Sequence, residues 1–241
     1  MVNVKNIKKA LNNWELYGDV TIDPKTGVVD VNDLVSAVQG LTEIGLQFGT
    51  VEGFDASAAS LRSLAGSPRH CKGVFNIQNN KLTTLHGASA HVGSLFAGGN
   101  LLANLDGLPA QIDRDIELVV NRLTSLDGLP ATVHGFLSIS YNRLTNLRGI
   151  SSTIEGDIRC QDNPLENLDS WPTRIDGQVW ITWHKNLPLL KTLIARKGVV
   201  CVKAPRVVQN ILWAHAGQGQ QGSLACAAEL ADAGYKGNAR W

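Results

Sequence analysis

An α/β solenoid is the fold this sequence predicts: stacked coils sharing one parallel sheet, with helical caps at both ends. Three observations predict it. A pattern h-x-h-x-x-N-x-L-x-x-L-x-G-x-P-x-x-h-x-G, with h apolar, recurs along most of the chain. Its first strand positions, Phe54, Phe75, Leu95, Ile116, Leu137, Ile158 and Val179, step by 21, 20, 21, 21, 21 and 21 residues. Its asparagines, Asn80, Asn100, Asn121, Asn142 and Asn163, step by 20, 21, 21 and 21. Self-similarity at a fixed period of this length marks a repeat architecture, in which each unit buries its apolar side only against its neighbours.

Each part of the chain then has a physical reading. Residues 1–28 form an N-terminal cap. Ile7, Ala10, Leu11 and Trp14 have helical spacing over Asn6 to Trp14, and Val20 to Val31 reads as a hairpin turning over Asp23 to Gly27. Residues 29–188 are the repeats. Val29 and Val31 supply the first strand, followed by a degenerate unit around Leu41 and Ile44. In each repeat the h-x-h triplet alternates, so two side chains point inward and the middle one outward. The asparagine amide serves backbone groups where the chain leaves the strand, because a buried turn must pair its N–H and C=O groups. The L-x-x-L pair (Leu82/Leu85 through Leu165/Leu168) fills the core behind the sheet. The G-x-P segment returns the chain, with Val92, Ile112, Val133, Ile154 and Ile175 re-entering the core. So short a unit leaves little room on its return side, where short turns or 3₁₀ pieces are expected. Residues 189–241 form a C-terminal helical cap or small interaction module. A helix over Leu189 to Ala195 precedes a strand at Val199 to Val202. A second helix starts at Pro205 and runs to Ala214, and Gly217-Gln-Gly219 is a loop. An Ala-rich helix runs from Ser223 to Ala233.

Composition narrows the function. The 241 residues are 44% hydrophobic and 18% charged, with a formal net charge of +1. That balance excludes a disordered or collagen-like chain and argues against nucleic-acid binding by bulk electrostatics. No apolar run approaches the roughly 20 residues of a membrane span. The opening segment lacks the apolar core of a secretory signal. Charge is uneven. From Leu187 to Trp241, seven Lys/Arg face Glu229 and Asp232, a net of +5, so the other 186 residues carry −4. Cys71, Cys160, Cys201 and Cys226 have no metal-ligand spacing and read as reduced and mostly buried. The six histidines are scattered, and no nucleophile-elbow, P-loop, dinucleotide-binding or HExxH motif is present. No catalytic residue, metal site or cofactor is expected.

The repeat resembles the leucine-rich repeat. The stretches Asn80-Lys-Leu-Thr-Thr-Leu-His-Gly, Asn121-Arg-Leu-Thr-Ser-Leu-Asp-Gly-Leu-Pro and Asn142-Arg-Leu-Thr-Asn-Leu-Arg-Gly are similar to short repeats of the type NKLTSLEGxP. Such repeats occur in many uncharacterised tailed-bacteriophage and bacterial proteins, and the closing stretch resembles the C-terminal tail of such phage proteins. Ala59 replaces the asparagine of the first clear unit, and Ser89 and Ser151 replace the proline. The resemblance implies a horseshoe, no enzymatic activity, and protein binding through the concave sheet face. It also implies a place in the host cytoplasm or the virion, as a virion component, an assembly factor, or an early protein that inhibits a host factor.

On that face the outward column is Asp55, Asn76, Phe96, Glu117, Ser138, Arg159 and Trp180, flanked by Asp115, Phe136, Asp157 and Gln178. The predicted partner-binding residues are Asn76, Phe96, Asp115, Glu117, Phe136, Ser138, Asp157, Arg159 and Trp180. Asp115 and Glu117 share one strand face and are placed to pair with Arg159 or a basic partner. Trp180, Phe136 and Phe96 form the aromatic hot spot expected of a protein interface. The alternative for Trp180 is that the C-terminal cap covers it. A third reading, a parallel β-helix that cleaves polysaccharide, requires strands on two or three sides of the coil; the L-x-x-L-x-G-x-P half shows no second alternating strand.

Overall fold

The computed structural model describes residues 14–37 and 47–240, and the fold is a parallel-strand β-solenoid with few helices. The expected helix over Asn6 to Trp14, apart from Trp14, and the degenerate unit around Leu41 and Ile44 lie outside the described residues. Trp14 itself begins a strand. The chain divides into two compact units, 1–116 and 117–241.

In the first unit, Trp14–Leu16 (β1) and Val20–Ile22 (β2) pair antiparallel with Val28–Ala37 (β3). The hairpin turns at Asp23–Gly27, where the Gly27 N–H donates to Asp23 O at 2.8 Å. Parallel strands follow: Gln47–Asp55 (β4), His70–Asn76 (β5) and His91–Phe96 (β6), each beside the one before. Gln111–Ile112 (β7) pairs with the start of β6, and Ile116–Glu117 (β8) begins where this unit ends. Phe54 and Phe75 are fully buried and stack with ring centroids 4.9 Å apart.

The second unit carries two parallel ladders. Leu137–Ser138 (β10), Ile158–Arg159 (β12), Val179–Thr182 (β14) and Val199–Val202 (β15) form one. Thr132–Val133 (β9), Thr153–Ile154 (β11) and Arg174–Ile175 (β13) form the other. This second ladder corrects the expected return path. The expected short turns are present after the second leucine of each repeat, but they are followed by short parallel strands, not 3₁₀ pieces, because Val133, Ile154 and Ile175 enter the core in register and bring their backbones within pairing distance. The L-x-x-L-x-G-x-P stretch itself carries no strand, as expected; the second ladder lies just beyond it.

Val199 follows Val179 by 20 residues and pairs with it directly. The segment expected to be a cap therefore opens with one more coil, and Leu189–Ile194 is a 3₁₀ helix within it. The helices that follow are Arg206–His215 (α1), with Pro205 as N-cap, and Gly219–Asp232 (α2). The second starts four residues earlier than its apolar pattern, so Gly219 opens a helix and is not a loop residue. The fully buried Asn238 donates to His184 O and Leu187 O, both at 2.9 Å, and pins the tail to the last coil.

Within each unit, three recurring columns order the coils. The first is the asparagine ladder. Asn80 accepts the Leu61 N–H at 2.8 Å and donates to Ala56 O at 2.8 Å and to Ile77 O at 3.0 Å. Asn100, Asn142 and Asn163 repeat the arrangement. Each amide thus serves its own turn and the turn of the preceding coil. The residue before each asparagine, and Ala58 before the Ala59 that replaces one, is left-handed: Ala58, Asn79, Gly99, Val120, Tyr141 and Asp162 have φ of 52, 55, 66, 53, 55 and 54°. That twist lets the asparagine, the next residue, point into the core. The second column is a tight turn after the second leucine. Leu129 N–H donates to Leu126 O at 3.1 Å with Gly128 at φ 105°, the requirement of a type II turn. The third is a run of glycines at the start of the strand, where coils approach most closely. Gly177 N–H donates to Gly156 O at 3.0 Å, and Gly156 N–H to Gly135 O at 2.9 Å.

An open sheet edge invites pairing with another chain. At β15 a side chain closes it. Gln209 of α1 accepts the Cys201 N–H at 2.6 Å and donates to Val199 O at 2.6 Å, as a neighbouring strand would. Gln209→Leu leaves both groups without that partner and should cost about 2 kcal/mol, read as a lower urea midpoint. An unchanged midpoint would assign the two contacts no energetic role.

Candidate functional site

The outward face is described within each unit. In the first, strand register sets Asp55, Asn76 and Phe96 side by side. Two of these side chains are engaged locally. Asp55 Oδ1 accepts the Ser57 N–H at 2.8 Å, and Asn76 Oδ1 accepts the Gln78 N–H at 3.2 Å. The Asp115 carboxylate accepts the Ser94 hydroxyl at 3.2 Å. These polar groups shape turns and strand ends before they meet any partner.

In the second unit, register sets Ser138, Arg159, Trp180 and Val200 in one row. Ser138 is buried and offers little surface. Glu117 is half-buried at the start of this unit. Asp157 Oδ1 accepts the Gln178 N–H at 2.8 Å, so this carboxylate orders the next coil. Arg159 is exposed, with its guanidinium carbon 6.0 Å from the centroid of the half-buried Phe136 ring. That stack holds a cation over an aromatic face. Beside it, Arg159, Gln161 and Trp180 line an open hollow of about 200 Å³. Trp180 Nε1 and Gln161 Oε1 are buried there without a hydrogen-bond partner. Trp180 is only partly covered, so the C-terminal segment does not enclose it. A second hollow of about 490 Å³ lies at Pro164, Leu165, Glu166, Trp183 and His184. Gln161 and Val200 were not among the predicted residues. Gln161 lies two residues beyond Arg159, on the same side of the alternating strand, and Val200 required β15 to be recognised as another coil.

Among the described residues, histidines and carboxylates meet in scattered pairs. Three histidines face carboxylates as separate pairs: His91 with Asp113 at 2.7 Å, His134 with Glu155 at 3.1 Å and the mostly covered His215 with Glu229 at 2.9 Å. The His91 hydrogen bond, with help from Gln111, holds Asp113 below the usual carboxylate range. Arg174, aided by Arg196 and Lys197, does the same for Asp176. Among the described residues, no group of three His, Cys, Asp or Glu is placed to hold a metal ion. None of their helices is long and apolar enough to cross a membrane.

All four cysteines are free and buried, and burial pushes each thiol from 9.0 up to about 12. The thiolate is the reactive form, so they should resist alkylation at pH 8 in the native protein and label quickly in urea. Fast native labelling would show that the coils open. The sign for stability follows. The unfolded chain loses these protons first, so the contribution is complete below about pH 9 and is lost as the pH rises towards 12.

No family model matches this chain, and neither a curated protein nor a solved structure does.

Proposed function

We propose that this chain is a non-enzymatic, phage-encoded protein of the leucine-rich-repeat class. In this reading it is a horseshoe closed by helical caps, it binds another protein through its sheet face, and it acts in the host cytoplasm or the virion. The repeat pattern and its NKLTSLEGxP-like stretches support the class. The observation that carries the binding reading is the row Ser138–Arg159–Trp180, with Arg159 stacked on Phe136 and an open hollow beside the indole. Aromatic and arginine side chains clustered on one face are the usual anchors of protein interfaces.

The test is selection from a random-peptide display library against the full chain, with titration of the enriched sequences. Phe136→Ala with Trp180→Ala should weaken binding at least about tenfold, the scale of one hot-spot side chain. The thermal midpoint should fall only slightly. No enrichment, or enriched peptides indifferent to both changes, would remove the reading. A large loss of stability would assign Trp180 to packing. The early host-factor inhibitor is the same chemistry in another place. Recovery of the chain in purified particles would favour the virion role, and its absence there the host-directed one.

A second reading is favoured by one observation. The second parallel ladder at 132–133, 153–154 and 174–175 is the kind of strand a polysaccharide-cleaving β-helix places on its other sides. New reducing ends on incubation with capsular polysaccharide would establish it; none would remove it.

A further inference from the structure

We infer that Val120 and Tyr141, flanked by Arg122 and Arg143, form a docking ridge for an acidic, partly apolar segment of another protein. The inference rests on the reading of the chain as a protein binder. It places the contact on the turns that follow the strands.

Backbone conformation carries the argument. The repeat demands a left-handed residue before each asparagine. Gly99, Asn79 and Asp162 are residue types that adopt it readily. Val120, at φ 53°, is β-branched, and Tyr141, at φ 55°, is bulky; both are costly there. Packing does not compensate, because both side chains are 54% exposed. Strain held at an exposed apolar side chain points to a use outside the fold. The two turns are consecutive and alike: Val120 N–H donates to Ser140 O and Tyr141 N–H to Gln161 O, both at 3.0 Å. The ridge therefore repeats at the strand spacing of about 4.8 Å.

Charge names the occupant. Arg122 and Arg143 occupy the position after each asparagine, both exposed. Neither has a carboxylate within 4.0 Å among the described residues, whereas Arg148, Arg174, Lys191, Arg196 and Lys203 all do. The next residue of the ridge, Asp162, is neutralised by Lys203 at 2.7 Å, so it does not repel an acidic partner. Two free guanidinium groups beside an aliphatic and an aromatic side chain match a segment in which Asp or Glu alternates with Leu or Phe. A single-stranded nucleic acid would use the arginines and Tyr141 but gains little from Val120.

The experiment titrates the full chain, at low salt, with a capped peptide alternating Asp or Glu with Leu or Phe. An Asn/Gln counterpart and oligothymidylate are titrated in parallel. The acidic peptide should bind about tenfold tighter than its neutral counterpart. Val120→Asn with Tyr141→Asn should raise the thermal midpoint by about 3 °C while weakening the peptide about tenfold. Arg122→Gln with Arg143→Gln should weaken it similarly and leave the midpoint unchanged. Opposite movement of stability and binding is the signature that a merely structural ridge would not give. The inference falls if the double Asn variant binds as well as the parent, or if its midpoint drops. It also falls if the neutral peptide binds equally, or if oligothymidylate alone binds. Failure of the acidic peptide to bind overturns the ridge only, since the sheet face is judged by its own library selection.

Discussion

Asn142→Ala should lower stability by about 4 kcal/mol, which in a chain of this length is roughly a 10 °C fall in thermal midpoint. The amide oxygen accepts the Leu123 N–H at 3.0 Å, and the amide nitrogen donates to Leu118 O at 2.9 Å and Ile139 O at 3.0 Å. Alanine leaves these backbone groups in a dry interior with no replacement, at about 1–3 kcal/mol for each left unpaired. Asn142→Asp is the sharper variant. At neutral pH its carboxylate would face two carbonyl oxygens, so the loss should exceed that of alanine. Burial and the carbonyls raise the folded-state pKa, so stability should be recovered as the pH falls and lost as it rises. Thermal melts from pH 4 to 8 read this directly. Equal stability of the Ala and Asn forms would show that the ladder carries no energy.

Gly177→Ala should be comparably severe, for a different reason. A Cβ there would overlap the Gly156 carbonyl and stand 2.5 Å from the Asp157 nitrogen. Those atoms belong to backbone already locked in the inter-coil bonds, so relief requires the coils to part. A loss of about 4 kcal/mol, with poor soluble yield, is expected, at the upper end for overpacking. Gly234→Ala is the control. Its φ is 90° and nothing lies within 4 Å, so it should cost only about 1 kcal/mol of backbone strain. Similar losses for the two would show that the close approach of the coils at Gly177 carries no energy beyond ordinary backbone strain.

The contrast shows what a reader of sequence alone obtains. The period, the inward leucines and the asparagine anchors were legible because each is a side-chain requirement repeated in every coil. The hairpin at Asp23–Gly27 and the strand at Val199–Val202 were legible from turn residues and β-branched runs. The second ladder was not, because two-residue strands leave no alternation to read. Gly135, Gly156 and Gly177 were visible as a column, yet their purpose is contact between coils, which no single repeat reveals. The site followed the same division. The register of Ser138, Arg159 and Trp180 came directly from the period. The engagement of Asp157 by the Gln178 N–H and the burial of Ser138 depend on atoms from neighbouring coils. The strain at Val120 and Tyr141 was invisible because a left-handed φ is a backbone property that neither residue type advertises.

Gln209 has a consequence for evolution. The amide that terminates the sheet reads only the Cys201 N–H and the Val199 carbonyl, which every coil presents in some form. It is therefore indifferent to how many coils precede it. Duplication or deletion of whole units upstream can change the length of the array without redesigning its end.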